Sequence, residues 1–266
     1  VNDETDTGKG TTMIASAQAF GIDIGGSGIK GAPVDLNEGK FAAERTRIPT
    51  PEKSTPEAVA AIVTQLLDFY EVEDGTPVGI AFPAPIKPGK PINFMANLDQ
   101  SWVGVDINAF ISEHSGRTVH VVNDADAAGL AEVRFGAAKG QRGLVIATTL
   151  GTGIGTALIM DGILIPNTEL GHLELDGKDA ERYASDAARS RKELTWEKWG
   201  ARLTKYYGAL EHYFSPEMFV IGGGVSKKSE KFFKYIDVET PLVSATLLND
   251  AGIIGAAYFA SQMNDR

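Results

Sequence analysis

Two segments of this chain share one plan, and that repetition constrains the fold more than any other feature of the sequence. AFGIDIGGSGIKGAPVDL, residues 19–36, is an apolar run, a glycine turn carrying polar residues, and a second apolar run. LVIATTLGTGIGTALIM, residues 144–160, repeats the order around Gly151-Thr152-Gly153. Both predict β-hairpins whose glycines sit where the backbone takes positive φ. In Rossmann and P-loop motifs the glycine loop opens a helix instead. Here residues 29–36 lack helical periodicity and contain Pro33. Two similar hairpins in one chain predict two related domains facing one another.

The remaining segments alternate between strand and helix patterns. Residues 51–70 carry apolar positions at helical spacing, with Pro56 and Glu57 at the start, where a helix tolerates proline and favours acid. VGIAFPAPI is a strand running into a proline-rich loop, residues 105–115 a helix ended by Gly116, and VHVVND a strand. An alanine-rich helix follows over 125–135, then a charged helical region over 180–214, the buried strand MFVIGGGVS and a terminal helix from Gly252. This alternation is α/β. The expected division is a flexible tail over 1–18, a smaller domain over 19–123 and a larger one over 124–251. The terminal segment 252–266 is expected to pack back on the first domain.

Composition narrows the function classes. A net charge of −10 over 266 residues argues against broad nucleic-acid or anionic-membrane binding, so a polyanionic substrate needs a local basic patch. No apolar run is long enough to span a bilayer, and the first residues lack the basic and apolar regions of a signal peptide, so the expected location is cytoplasmic. Cysteine is absent, which excludes disulfides and thiolate metal sites, and four scattered histidines leave little for zinc.

Several residues could carry chemistry. The turn Asp23-Ile24-Gly25-Gly26-Ser27-Gly28 exposes successive backbone N–H groups that can form an anion-binding nest. Asp23 could hold Mg²⁺ through water, and Lys30 is near enough in sequence to reach a phosphate. Read alone, the segment is better taken as a tight hairpin with an exposed acid, because glycine turns are common. The second turn, with Thr149, Gly151, Thr152 and Gly153, offers donors from the opposing half, and together the two could clamp a phosphate chain. Asp124 follows a strand and precedes a helix, so it is either a base for an attacking hydroxyl, with Asn123 orienting the sugar, or the cap of the helix starting at Ala125. Glu169 and His172 flank a turn and suit a pattern of sugar hydroxyls. Gly222, Gly223, Gly224 and Val225 follow a strand and match either a nucleotide-contacting loop or ordinary loop flexibility. Arg189, Arg191, Lys192, Lys198, Arg202 and Lys205 crowd one stretch, read as a solvated helix face or as a groove for a phosphate chain.

Taken together, GIDIGGSGIKGA, NLDQSW, VVNDADAAGLAE, TTLGTGIGTALI, ELGHLEL, VIGGGVS and NDAGIIGAA occur in the order of the ROK family of sugar kinases, which the chain resembles along nearly its whole length. The resemblance implies an actin-like (ribonuclease H-like) fold of two domains, with the glycine hairpins binding phosphates in the cleft between them. It implies Asp124 as catalytic base and Asn97, Asn123, Glu169 and His172 as hexose ligands. Glu181, before an alanine/serine-rich helix, corresponds to the family's last sugar-binding glutamate. Most members follow the Gly-His motif with a cysteine-rich zinc loop, whereas LELDGKDAERYASDAA has none. The zinc-free form, with PNTELGHLEL, resembles the polyphosphate glucokinase branch. That implies a Mg²⁺-dependent glucokinase, monomer or homodimer, using polyphosphate, ATP or both, with mannose a further acceptor in close relatives. The alternatives are an ATP-only hexokinase and a non-catalytic sugar-responsive protein. The family's repressors carry an N-terminal DNA-binding domain, not expected here because the first strand begins near Phe20.

Overall fold

The computed structural model describes residues 18–95 and 98–264; Asn97 and all of the expected tail except Gln18 lie outside the described residues. The chain opens with β1 (Ala19–Gly25) and β2 (Gly28–Asp35), an antiparallel hairpin in which Asp23 pairs with Lys30 and Gly25 with Gly28. Short strands β3 (Lys40–Phe41) and β4 (Thr46–Ile48) both pair with β2. Helix α1 (Pro56–Phe69) is capped by Thr55, whose hydroxyl accepts the Ala58 N–H, and Pro56 occupies its first position, where the missing N–H has no intrahelical role. Strand β5 (Val78–Phe82), helix α2 (Ile107–Ser115) and strand β6 (Val119–Asn123) follow, with Gly116 ending α2 in the left-handed conformation. The sheet runs β3-β2-β1-β5-β6, with β1, β5 and β6 parallel.

After α3 (Asp124–Arg134) the same order recurs. Strands β7 (Leu144–Leu150), β8 (Ile154–Met160) and β9 (Ile163–Ile165) are antiparallel neighbours. A small hairpin of β10 (Glu174–Leu175) and β11 (Lys178–Asp179) precedes α4 (Ala180–Ala184), α5 (Asp186–Arg191) and α6 (Trp196–Phe214). The chain ends with β12 (Met218–Gly222), α7 (Ser229–Phe232), β13 (Leu242–Ser244) and α8 (Ala251–Asn264). The second sheet runs β13-β12-β7-β8-β9, with β7, β12 and β13 parallel. Each half is thus an antiparallel hairpin flanked by two parallel strands. Two copies of that unit make the actin-like (ribonuclease H-like) fold. No helix among the described residues is long and apolar enough to cross a membrane.

Strand periodicity decides what covers each face. Phe20, Ile22 and Ile24 of β1 and Val78, Ile80 and Phe82 of β5 join the core with α1 and α2. The intervening Gly21, Gly79 and Ala81 face α8. In the second half Trp199, Leu203, Tyr206, Tyr207 and Leu210 of α6 pack on one face, and α3 lies on the other, where Ala147, Ala157 and Ile159 are buried. Helices α3 and α8 therefore stack between the sheets, one from each half, and pack against each other. Glycine makes this stacking possible. A Cβ at Gly21 would strike the Ile253 carbonyl oxygen, one at Gly79 the Ala256 oxygen, and one at Gly255 the Ala127 oxygen.

Candidate active site

The parallel registers bring the carboxyl ends of β1, β5 and β6 to one edge of the first sheet and those of β7, β12 and β13 to one edge of the second. Such edges are where open α/β sheets bind ligands. The β1–β2 turn, Asp124, the β7–β8 turn and the loop after β12 all leave from these ends.

Asn123, not Asp124, caps α3. Its Oδ1 accepts the N–H groups of Ala125 (2.9 Å) and Asp126 (3.1 Å), and its Nδ2 donates to the Ala84 carbonyl at 3.3 Å. Asn123 is buried, so for a sugar it retains one amide hydrogen. Because the cap is filled by its neighbour, Asp124 is spared that duty. Its Oδ1 accepts the Ala125 N–H at 2.8 Å, and the residue stays open to solvent. Surrounding protein nonetheless replaces much of its water. Desolvation, against the opposing Ala125 hydrogen bond, pushes its carboxyl up to about 6, and the charges of Asp23 and Glu169 push the same way. Asp23 comes from the first half and Glu169 from the second, so their shared influence on Asp124 shows the halves converging on it.

In the first hairpin, Lys30 Nζ bonds Asp23 Oδ2 at 2.9 Å, as their pairing across the strands dictates. Asp23 Oδ1 faces the start of α8, 3.6 Å from where a Cβ on Gly252 would lie. The turn glycines do not act as their sequence suggests. None of Gly25, Gly26, Gly28, Gly151 and Gly153 has a left-handed φ. Gly28 instead makes room for the Arg47 guanidinium, and Gly153 for the Glu181 carboxylate. Gly26, Ser27 and Thr152 are exposed at the two tips. Of the Gly222–Val225 loop, Gly223 alone has positive φ (81°), and it sits so close to the Leu150 backbone that no side chain fits. Close approach therefore explains this glycine better than loop flexibility.

Glu169, exposed, precedes a single 3-10 turn (Leu170–His172). His172 Nδ1 lies 2.9 Å from Asp179 Oδ2, and this bond raises the imidazole pKa, aided by the charges of Glu181, Asp179 and Glu169. Glu181 Oε2 accepts the Ile154 N–H at 3.0 Å, so one oxygen braces the second hairpin and Oε1 is left for a ligand. Thr149, one residue before the end of β7, pairs with Gly155 of β8.

The basic run divides in two. Arg189 bonds Asp186 (2.8 Å) and lies 4.3 Å from the Trp196 ring centroid. Arg202 donates to the Tyr183 carbonyl (2.7 Å), Arg191 to that of Arg182 (3.4 Å), and Lys205 pairs with Asp176. Arg189 braces its own helix and the other three tie α5 and α6 to α4 and to the β10–β11 turn, while Lys192 and Lys198 are exposed. The run starts beside the β7–β8 turn, since the Ala187 N–H donates to the Gly151 carbonyl at 3.0 Å.

The sequence pattern does not single out Arg47, Asp126 or Asn167. Arg47, exposed on β4, donates to the Ser27 carbonyl at 2.5 Å and lays its guanidinium on the β1–β2 turn. No motif marks it. Asp126 and Asn167 stand inside quoted motifs, but their contacts are long-range in sequence.

A profile of the ROK family matches residues 19–186. The chain belongs to the ROK family. This ROK protein is 42% identical over 258 residues to the polyphosphate glucokinase of Mycobacterium tuberculosis, covering 95% of this chain and 96% of that one. It is 26% identical to the glucokinase of Thermotoga maritima, covering 90% and 95%. Among solved structures, the inorganic polyphosphate/ATP-glucomannokinase of Arthrobacter sp. strain KM is similar with a TM-score of 0.85 at 48% identity, covering 93% of this chain and 99% of that one.

Proposed function

We infer that this ROK protein transfers a phosphoryl group to glucose from inorganic polyphosphate, ATP or both. The observation that carries the reading is a base-competent carboxylate, Asp124, within electrostatic reach of the first phosphate hairpin and of Glu169. Similarity over nearly the whole chain to a polyphosphate glucokinase supplies donor and acceptor, and the glucomannokinase adds mannose.

In this reading the 6-hydroxyl gives its proton to Asp124 as its oxygen bonds the terminal phosphorus. The bridging P–O bond breaks, and ADP or a shortened polyphosphate leaves. The β1–β2 turn, with Gly25, Gly26, Ser27 and Gly28, and the β7–β8 turn, with Thr149, Gly151, Thr152 and Gly153, face the donor phosphates; the Gly151 N–H is itself spent on the Gly153 carbonyl at 3.0 Å, which fixes the second turn. Lys30 stands behind the first turn, and the Gly222–Val225 loop faces a nucleotide. Asn97, Asn123, Glu169, His172 and Glu181 hold the hexose. Such transfer depends on positioning and charge stabilisation more than on covalent chemistry.

Mg²⁺ suits the donor set. It is commonly held by one or two carboxylates plus substrate phosphates. Asp23 Oδ1 is clear of the Lys30 bond, and no cluster of metal-ligating side chains capable of a full cage occurs among the described residues. When bound there, Mg²⁺ neutralises charge on the donor phosphates.

The bodies 19–123 and 124–251 are read as closing on the sugar and excluding water, so glucose should reduce the radius of gyration in small-angle scattering. The same reading places the chain in the cytoplasm, as a monomer or homodimer. The deciding assay follows sugar phosphate formed from glucose and from mannose with each donor. Sugar 6-phosphate should form with polyphosphate, and EDTA should abolish it until Mg²⁺ is restored. No sugar phosphate with either donor would overturn the reading.

Arg47 offers four guanidinium N–H groups beyond its bond to Ser27. Arg47→Ala should raise the donor KM about tenfold, the worth of one charge-assisted contact, and leave the glucose KM unchanged. Steady-state kinetics with each substrate varied in turn checks this.

A further inference from the structure

Asp126 sits two residues beyond the base, on the first turn of α3, and is fully buried. Its Oδ2 accepts the Asn167 N–H at 2.7 Å, while Oδ1 is buried without a partner. A half-satisfied buried carboxyl weakens a fold, and the bond it does make leaves its own helix for the loop that carries Glu169.

Asn167 extends the connection. Its φ is 60°, in the left-handed region that asparagine tolerates. Its side chain pairs with Ile86 as a backbone strand would, accepting from the Ile86 N–H at 2.6 Å and donating to its carbonyl at 2.9 Å. Ile86 belongs to the first half, in the loop after β5. The neighbouring Ala84 carbonyl is held by Asn123. One hydrogen-bonded path thus runs from the first-half loop through Asn167 to Asp126, two residues from Asp124. Glu169 lies two residues from Asn167 on the same loop.

We propose that Asp126 and Asn167 are positioning residues that fix the Glu169 loop and the 84–86 loop relative to Asp124, so that a sugar hydroxyl rather than water receives the phosphoryl group. The inference rests on the kinase reading above. It concerns residues that touch neither the donor nor the reacting oxygen, and it explains why a fold would keep a half-satisfied carboxyl here. An anchor that served stability alone would lower the melting temperature without altering how the phosphoryl group is partitioned.

Asn167→Gly tests it cleanly. Glycine keeps the positive φ and the N–H that Asp126 accepts, and removes only the clasp on Ile86. The full chain is assayed with glucose, ATP and Mg²⁺, and sugar phosphate and free phosphate are measured in the same reaction. The expected result is a loss of transfer of about ten- to a hundredfold, the scale of a small misplacement, with the ratio of free phosphate to sugar phosphate rising. Asp126→Asn keeps an acceptor for Asn167 and should transfer within about threefold of the parent, whereas Asp126→Ala should resemble Asn167→Gly. Parent-like transfer and product ratio in folded Asn167→Gly would overturn the inference. So would an Asp126→Asn as impaired as Asp126→Ala, because charge rather than position would then matter. A parent chain that makes no sugar phosphate would instead bring down the kinase reading, and this inference with it.

Discussion

Replacing Asp124 by alanine should lower kcat for glucose phosphorylation by about a thousandfold, within the span that positioned acid–base groups contribute. In the proposed reading the KM values should move little, because Glu169, His172 and their neighbours would mainly hold the hexose and the two hairpins the donor. Folding should survive, since Asn123 and not Asp124 supplies the cap of α3. The pH profile gives a second check. With its carboxyl pushed up to about 6 by desolvation, Asp124 is a base only when ionised, so kcat/KM should fall as pH drops through about 6. The linkage has the opposite sign for stability. The folded-state pKa lies above the ordinary carboxylate value, so ionisation is disfavoured by folding, and stability from this group is lost as pH rises from about 4 to 6. Asp124→Asn should therefore melt higher than the parent at pH 7 and with no advantage near pH 3, while being as inactive as the alanine variant. Near-normal turnover by a folded Asp124→Ala would remove it from the mechanism.

Gly79→Ala should destabilise the chain by about 3 kcal/mol, the upper range for overpacking a closed core. The added methyl meets the backbone of Ala256 and Ala257, which no side-chain rotation can relieve, so α8 must lift from β5. Since α8 also covers Gly21 and starts beside Asp23, activity should fall along with the melting temperature. Gly208→Ala is the control. It lies within α6, a Cβ there meets nothing within 4 Å, and it should gain about 0.5–1 kcal/mol by lowering the freedom of the unfolded chain. Thermal unfolding of the pair separates the two cases. A Gly79→Ala chain as stable as its parent would show that α8 can shift without loss.

Much of the architecture was legible because strand and helix periods are local. Helix α1 begins at Pro56 and α2 ends before Gly116, both marked by residues with one conformational use. The charged stretch after the second hairpin reads as one helical region, yet it folds as α4, α5 and α6, interrupted by caps at Ser185 and Thr195 that a run of mixed charge conceals. Cap assignment also needed coordinates. Asn123 and Asp124 are both good capping residues, and only the backbone angles decide which stands outside the helix.

The two strand–glycine–strand segments determined by themselves that the chain folds as paired hairpins in related halves, because an apolar run, a turn and another apolar run leave the backbone few ways to close. The absence of cysteine likewise settled that no thiolate zinc site forms. Why those turns need glycine was decided only by the tertiary structure. The turn glycines lack positive φ, and their missing side chains admit Arg47 and Glu181, which arrive from 19 and 28 residues further along the chain. Space between distant segments has no local signature, so packing had to disclose it.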